Sequence, residues 1–198
     1  INLVEKKFPQ LIPNLSTCRS PQMMLAPLVK GFWASKLQVD PDLIFHCSIM
    51  PCTAKKDEVE RQQMWRDGKR DLDAVLTTRE FGQLLKMRGI QNFGALEPSN
   101  YDSLLGASSG AASLFGATGG VMEAALRTAI ELKTKRPLPR VEFTACRGLA
   151  QIKEAALTIE VDGAPLTLRI AIANTIRATL DLLQRIQSGQ ASYHFVEI

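Results

Sequence analysis

The feature that most constrains the fold is an Asp-Gly pair, Asp162 and Gly163, between two runs of alternating apolar and polar residues. The surrounding segment, residues 156–173, reads ALTIEVDGAPLTLRIAIA. Alternation with a period of two is typical of a half-buried strand, and Asp-Gly is a preferred pair for a tight turn between antiparallel strands. The sequence therefore predicts a β-hairpin in this segment.

Strand-like and helix-like segments alternate along the rest of the chain. Further strands are predicted at residues 42–50, at the start of 72–90, at 140–148 and at 193–198. Helices are predicted at residues 20–36, after Pro51, in the second part of 72–90, at 121–135 and at 175–189. This alternation, together with one hairpin, predicts an α/β protein with mixed, twisted β-sheets flanked by helices.

Local signals also predict where several of these elements begin and end. Ser20 is expected to cap the helix over residues 20–36, in which Pro27 predicts a kink or an early stop. Thr77 or Thr78 is expected to cap the helix that Gly89 closes.

The composition restricts the class of protein. The chain has 198 residues, of which 45% are hydrophobic, and a net charge of +4, which suits one large domain or two small lobes. Lysine and arginine form no long run, so a nucleic-acid partner is not indicated. No apolar stretch reaches the length of a membrane span and no secretory signature opens the chain, so we expect a soluble protein.

The chain contains four cysteines, none of which has C-x-x-C spacing. We expect reduced thiols, with no disulfide. Three of them are interpreted as structural, namely Cys18, Cys47 and Cys146.

The fourth, Cys52, ends an apolar run in SIMPCTAKKDE, residues 48–58. A position between a strand and a helix start, beside lysines, favours the thiolate, which is the metal-binding form of cysteine. The other interpretation is a buried cysteine that fills core space.

Lys55 lies three positions after Cys52, so both would share one face if the helix began at Pro51. The ammonium of Lys55 is then a candidate donor to an anionic ligand. Glu58 is a candidate ion-pair partner of Lys55, whereas Lys56 is interpreted as a solvated surface residue.

A loop of small residues, SLFGATGG, precedes the helix predicted at residues 121–135. Free backbone N–H groups at a helix start favour anions, so this loop is a candidate phosphate cradle. It fits neither the P-loop nor the dinucleotide-binding pattern, and close packing of helix on strand explains it equally well.

The segment LSTCRSPQMM brings small polar residues to a helix start, and capping accounts for Ser16, Ser20 and Gln22 without a further role. Five other residues are interpreted as core residues, with their polar atoms satisfied where they have any: Met23, Met24, Met50, His46 and His194.

Together and in this order, the motifs resemble the catalytic domain of iron-only (FeFe) hydrogenases over essentially all 198 residues. SIMPCTAKKDE resembles the second cysteine signature of that family. STCRSPQMM, AVLTTREFGQLLK, FGATGGVMEAALRTA and CRGLAQIKEA resemble other parts of the same domain. The resemblance implies a two-lobed α/β catalytic domain that holds the H-cluster. This cofactor is a 4Fe–4S cubane bound by four cysteines, one of which bridges to a two-iron unit carrying CO, cyanide and a dithiol.

The resemblance also implies roles for individual residues. Cys52 would be one of the four cubane ligands, and Lys55 would donate a hydrogen bond to a cyanide. Met50 would be an apolar neighbour of the two-iron unit, and Pro21 and Gln22 would face its diatomic ligands.

Three further residues carry implied roles on the same grounds. Phe115 would be a second apolar neighbour of the two-iron unit, and Gly116 would contact the cofactor. Ser16 would belong to the proton route, whose thiol and glutamates would lie outside this chain.

The family's first cysteine signature precedes the position of Ile1, and its third follows a segment like YHFVEI. We therefore expect residues 1–198 to be a fragment of the H-cluster domain, inactive alone, with three cubane ligands in the rest of the parent chain.

The parent would be a ferredoxin hydrogenase that reversibly reduces protons to H2, and its partner would be ferredoxin or another redox carrier. It would be cytoplasmic, although some relatives are periplasmic. The alternatives are a non-catalytic relative that assembles iron–sulfur clusters or senses H2, and a nucleotide-binding domain.

Overall fold

The computed structural model describes residues 1–103, 105–107, 109–135, 151–161 and 163–198. The chain divides into two compact units, Ile1–Gly106 and Ala107–Ile198. The predicted strand at residues 140–148, with Cys146, lies outside the described residues, as does Asp162 of the predicted turn.

The first unit combines helices with a small parallel sheet. Its α-helices are α1 (Asn2–Lys7), α2 (Pro21–Pro27), α3 (Ala34–Leu37), α4 (Ala54–Glu60) and α5 (Thr78–Met87). Strand β1 (Cys47–Met50) pairs in parallel with β2 (Ala74–Thr77), and Cys47 lies opposite Ala74. Short 3-10 helices occupy Pro9–Asn14, Pro41–Leu43, Gln62–Met64 and Phe93–Ala95.

The helix predicted at residues 20–36 has a composite structure. The α-helical geometry ends at Pro27, as that residue predicts, but the chain stays helical as a π-helix, Leu28–Trp33, and then as α3. Proline has no N–H to donate into the helix, so the hydrogen-bond pattern changes at this point. Within the π-helix, the ammonium of Lys30 donates to Asp73 at 2.8 Å, which ties this segment to the chain just before β2.

The prediction of a strand over residues 42–50 is wrong for the first half of that range. The start of that run is a 3-10 helix, and the side chains of Leu43 and Phe45 are 81% and 75% exposed. An apolar run becomes a strand only where a partner strand pairs with it, and here β2 pairs only with Cys47–Met50. Pro51 follows directly after β1, as predicted.

The first unit has one main apolar core. It brings together side chains from α2, α4, β2 and the chain just before β2, namely Met23, Ala26, Val59, Leu72 and Val75, with Met50 and Met64 packed against them. Burying a side chain such as Met23, which is 1% exposed, contributes about 1.5–3 kcal/mol. This core holds the start of α2 against α4.

The second unit is a mixed sheet with a helix on each face. It contains α6 (Gly110–Leu114), α7 (Gly120–Thr134), β3 (Ile152–Val161), β4 (Ala164–Ala173), α8 (Ile176–Gln187) and β5 (Phe195–Glu197). Strands β3 and β4 are antiparallel, whereas β5 is parallel to β4 at the other edge. Val161 pairs with Ala164, which confirms the predicted hairpin. Gly163 adopts a φ of 81°, a conformation that glycine tolerates without strain.

Alternate residues of β4 pack on opposite faces of this sheet. Ile170 and Ile172 contact Met122 and Leu126 of α7. Ala171, between them, packs with α8 on the other face. Because side chains alternate between the two faces of a strand, the apolar residues of β4 form one core with α7 and another with α8.

Within the described ranges, none of the helices combines the length and the apolar character that crossing a bilayer requires.

Candidate cofactor site

Cys52 lies in the short connection between β1 and α4. Its side chain is exposed and its thiol is free, so the interpretation of Cys52 as a core-filling residue is wrong. Helix α4 begins at Ala54 and not at Pro51, so Cys52 and Lys55 do not share a helical face. A turn joins them instead, because the backbone N–H of Lys55 donates to the carbonyl of Cys52 at 3.2 Å.

Glu58 forms the centre of a polar cluster beside this turn. Its Oε2 atom accepts a hydrogen bond from the ammonium of Lys55 at 3.0 Å, which confirms the predicted ion pair. The same oxygen accepts from the hydroxyl of Ser20 at 2.8 Å and from Nε2 of Gln22 at 3.1 Å. One carboxylate oxygen thus joins the start of α2 to α4.

Gln22 is almost fully enclosed, with 5% of its surface exposed. Besides Glu58, its amide nitrogen donates to the backbone carbonyl of Lys55 at 3.3 Å. Its Oε1 atom accepts from the hydroxyl of Ser48 in β1 at 2.9 Å. These bonds fix both ends of the amide, so Gln22 does more than begin a helix.

Pro21 and Ser20 begin α2, as the sequence predicts. Pro21 is the first residue of the helix and is exposed. Ser20 occupies the cap position, but its side chain makes no capping bond and donates to Glu58 instead. The expected capping role of its hydroxyl is therefore wrong.

The hydrogen bonds to Glu58 favour its charged form. Partial burial raises the pKa of this carboxyl group. The bonds from Lys55 and Ser20, the charge of Lys55 and the bond from Gln22 outweigh that effect, so the pKa lies below its ordinary value. Glu58 is therefore a carboxylate at neutral pH, and Lys55 lies beside a permanent negative charge.

Ser16 and Met50 lie elsewhere in the first unit. The Ser16 hydroxyl is exposed and accepts a hydrogen bond from the backbone N–H of Cys18 at 3.1 Å, which forms a local turn. Met50, at the end of β1, is half-buried and packs against the core, as predicted for a core residue.

Several structural interpretations need correction. Met24 is 46% exposed and is no core residue. Cys18 is exposed, whereas Cys47 is half-buried in β1. His46 is half-buried, with its Nδ1 bonded to the carbonyl of Asp71, and His194 is exposed, with its Nδ1 accepting from the N–H of Arg169. Both histidines have polar partners, but neither lies in a core.

Phe115 and Gly116 belong to the second unit, in the connection between α6 and α7. Both are exposed, Phe115 by 40%. A Cβ atom on Gly120 would lie 1.7 Å from the carbonyl oxygen of Leu114, so only glycine allows the chain to turn into α7 so closely.

The start of α7 already has an internal anion. The carboxylate of Glu197 accepts from the backbone N–H groups of Gly119 at 2.9 Å and Met122 at 2.7 Å. A phosphate would have to displace Glu197 to use these donors, so the phosphate-cradle interpretation loses its basis. Close packing explains the loop better. An acidic residue in an otherwise apolar final strand is the signal in the sequence that could have indicated this bond.

Helix α1 lies beside α4. Asn2 donates to Asp57 at 3.1 Å, and Arg61 forms an ion pair with Glu5 at 2.8 Å. The first residues of the chain are thus held next to the helix that follows Cys52. Among the described residues, no three His, Cys, Asp or Glu side chains are grouped so as to hold a metal ion.

This fold and these motifs define a domain of the FeFe-hydrogenase type. The chain belongs to the iron-only hydrogenase family, because residues 1–198 match the family described as the iron only hydrogenase large subunit, C-terminal domain.

Individual relatives agree with this assignment. The chain is 42% identical over 193 residues to the periplasmic Fe hydrogenase large subunit of Nitratidesulfovibrio vulgaris, covering 98% of this chain and 45% of that protein. It is 38% identical to iron hydrogenase 1 of Clostridium pasteurianum, covering 100% and 34%. It is also 33% identical to cytosolic iron-sulfur assembly component 3 of Pongo abelii, covering 95% and 40%. The chain thus spans less than half the length of these relatives.

The solved structures show the same fold. An apo FeFe-hydrogenase HydA1 variant from Chlamydomonas reinhardtii superposes with a TM-score of 0.81 at 42% identity, covering 99% of this chain and 55% of that one. A second solved structure, with a TM-score of 0.81 at 42% identity and covering 99% of this chain and 54% of that one, is a study of the H cluster 2Fe subcluster of an FeFe-hydrogenase.

Proposed function

We propose that residues 1–198 are part of the H-cluster catalytic domain of an FeFe-hydrogenase. The intact parent reversibly reduces protons to H2 with electrons from a ferredoxin-type donor. The observation that supports this most is the accessible thiol of Cys52, joined by a turn to Lys55 beside the buried amide of Gln22.

The residues of the first unit fit one side of such a cofactor. Cysteine thiolates are the usual ligands of iron–sulfur clusters, and the thiol of Cys52 is free and exposed. An ammonium beside it can donate a hydrogen bond to an anionic ligand. When bound, the cofactor supplies the metal centre at which electrons and protons combine.

Each site residue then has a task of its own. By resemblance, Cys52 would ligate the cubane, and Lys55 would donate a hydrogen bond to a cyanide of the two-iron unit. Gln22 and Pro21 would face its diatomic ligands, while Met50 would exclude water from its surroundings.

The resemblance gives roles to three further residues. Phe115 would be an apolar neighbour of the two-iron unit, and Gly116 would let the backbone approach the cofactor. Ser16 relays protons, because a hydroxyl both donates and accepts hydrogen bonds.

One cysteine cannot hold a cubane that takes four cysteine ligands. The other three ligands come from the rest of the parent chain, and this part alone neither assembles the cluster nor produces H2. We expect the intact parent protein in the cytoplasm, although one relative is named a periplasmic enzyme.

A non-catalytic iron–sulfur protein is the second candidate, because relatives named as cytosolic iron–sulfur assembly components cover 95% of this chain. A sensor of H2 belongs to the same class. The presence of Lys55, Gln22, Ser16 and the full FGATGG loop favours the enzyme, because these residues serve the two-iron unit and proton delivery in our proposal.

The test uses the intact parent with Cys52→Ser. Loss of a cubane ligand should reduce the bound iron and abolish H2 evolution. The matched control is Cys18→Ser, since Cys18 is also a free, exposed cysteine of the first unit, and this variant should keep both properties. Full iron content in Cys52→Ser would remove Cys52 from the ligand set. A wild-type parent that holds iron but never evolves H2 would favour the non-catalytic candidate.

A further inference from the structure

We propose that Glu58 is a positioning residue, which fixes the ammonium of Lys55 relative to the amide of Gln22 and so sets the direction in which Lys55 donates to an anionic ligand. This inference rests on the proposed function, in which Lys55 has such a ligand. Glu58 itself contacts no cofactor in this proposal.

The geometry at Glu58 goes beyond a simple surface ion pair. Three donors converge on one oxygen, Oε2, from the Ser20 hydroxyl, the Gln22 amide and the Lys55 ammonium, at 2.8, 3.1 and 3.0 Å. The side chain of Glu58 is only 16% exposed. A partly buried carboxylate with several donors is held in one orientation, because movement would leave a charge in a poorly solvated place.

Lys55 needs this kind of anchor. A lysine ammonium is a compact charge on a flexible four-carbon stem, with three N–H donors that rotate freely. In the described part of the chain, Glu58 is the one side-chain acceptor of the Lys55 ammonium. One N–H bonded to Glu58 fixes the position of the nitrogen and leaves two donors for an anionic ligand.

Ser20 and Gln22 keep Glu58 charged and oriented whatever Lys55 does. They reach it from 38 and 36 positions away in the sequence, so the bonds depend on the packing of α2 against α4. The carboxylate therefore keeps two hydrogen bonds when Lys55 shares its donors with another anion. Glu58 therefore keeps its orientation without Lys55, whereas in a simple ion pair each side chain is held only by the other.

The decisive variant is Glu58→Gln in the intact parent, which keeps the shape of the side chain but removes its charge. The infrared bands of the cyanide ligands should shift in the same direction as in Lys55→Ala, with iron content unchanged, and H2 evolution should fall about tenfold, the loss expected for one charge-assisted hydrogen bond. Glu58→Asp, which retains the charge, should restore part of the band position. The matched control is Glu60→Gln on the same helix, which is exposed and paired with Arg70, and should leave the bands unmoved.

Two further measurements separate positioning from general support of the fold. In a Lys55→Ala background, Glu58→Gln should cause no additional shift of the cyanide bands, whereas an independent structural role would add one. In the cofactor-free parent, an amine-specific reagent should label Lys55 several times faster in Glu58→Gln than in the wild type, with the labelling rate of Lys56 unchanged.

The outcomes separate this inference from the function on which it rests. Cyanide bands that are present but do not move in Glu58→Gln, or Lys55 labelling at the wild-type rate, would overturn the role of Glu58 alone. Absence of cyanide bands from the wild-type parent would overturn the proposed function instead.

Discussion

The backbone N–H of Met122 donates to Oε2 of Glu197 at 2.7 Å, which joins the start of α7 to the last strand of the chain across 75 positions. The other oxygen of the same carboxylate accepts from Gly119. A carboxylate at a helix N-terminus stabilises the helix both by satisfying free N–H groups and by its charge. Strand β5 therefore contributes more to the second unit than its three residues suggest.

Replacing Glu197 by alanine should lower the free energy of unfolding by about 1–2 kcal/mol, since both capping bonds and the favourable charge are lost. Urea unfolding measures this change. Glu160→Ala is the control, because Glu160 is an exposed glutamate of the same unit, and its loss should cost less than about 0.5 kcal/mol. Equal midpoints for the two variants would show that the cap contributes nothing in solution.

Stability at acid pH should depend on Glu80. The hydrogen bond from Lys56, with further bonds from the backbone and side chain of Thr77, lowers the pKa of Glu80 from 4.5 to about 2. A carboxyl group whose pKa is lower in the folded state stabilises the fold above its unfolded pKa, and this contribution disappears as pH falls through the folded pKa. We therefore expect a contribution that is complete above pH 4.5 and is lost on acidification towards pH 2.

Urea midpoints measured as a function of pH test this expectation. Glu80→Gln should flatten the profile in that window, and Lys56→Gln should remove part of the same dependence while the bonds with Thr77 remain. A profile for Glu80→Gln that parallels the wild type would contradict the assignment of the lowered pKa.

Two neighbouring lysines provide a matched pair for the cofactor site. Lys55→Ala in the intact parent should reduce H2 evolution by about ten- to a hundredfold, because a charge-assisted hydrogen bond is worth about 1.5–3 kcal/mol. Lys56→Ala should have little effect on turnover, since Lys56 is 41% exposed and pairs with Glu80. Equal turnover in the two variants would exclude Lys55 from the site.

Ser16→Ala tests the proton route. Removal of a relay hydroxyl should slow proton-limited turnover by about a hundredfold, within the usual range for a proton-transfer group, while iron content stays unchanged. The control is Ser35→Ala, at an exposed serine of α3. Loss of iron in Ser16→Ala would instead assign Ser16 a structural role, in line with its local bond to Cys18.

Local features of the sequence predicted much of the fold. Thr77 caps α5 through a reciprocal pair of bonds with Glu80, and Gly89 adopts a φ of 77° just after the helix. The hairpin forms where Asp-Gly interrupts the alternation. Each of these signals depends on residues within a few positions of one another, so the sequence displays them directly.

Predictions failed where the outcome depends on distant partners. Leu43 and Phe45 have strand-like side chains, but within the described residues no strand pairs with them, so that part of the run lies outside the parallel sheet. The Ser20 hydroxyl caps nothing because Glu58 offers a charged acceptor from another helix. Lys55 and Glu58 are only three residues apart, so their spacing indicated the ion pair. Ser20 and Gln22 reach the same oxygen from 38 and 36 positions away, which no local pattern indicates.

By itself, the sequence determined the family, the alternation of helices and strands, the hairpin and the cap of α5, because these follow from motif order and from contacts between near neighbours. Only the tertiary structure decided that Cys52 is accessible, that Gln22 is buried between β1 and α4, and that Glu197 occupies the anion site at the start of α7. The packing of α2 against α4 and of β5 near α7 brings together groups far apart in the chain, and no local pattern encodes those distances.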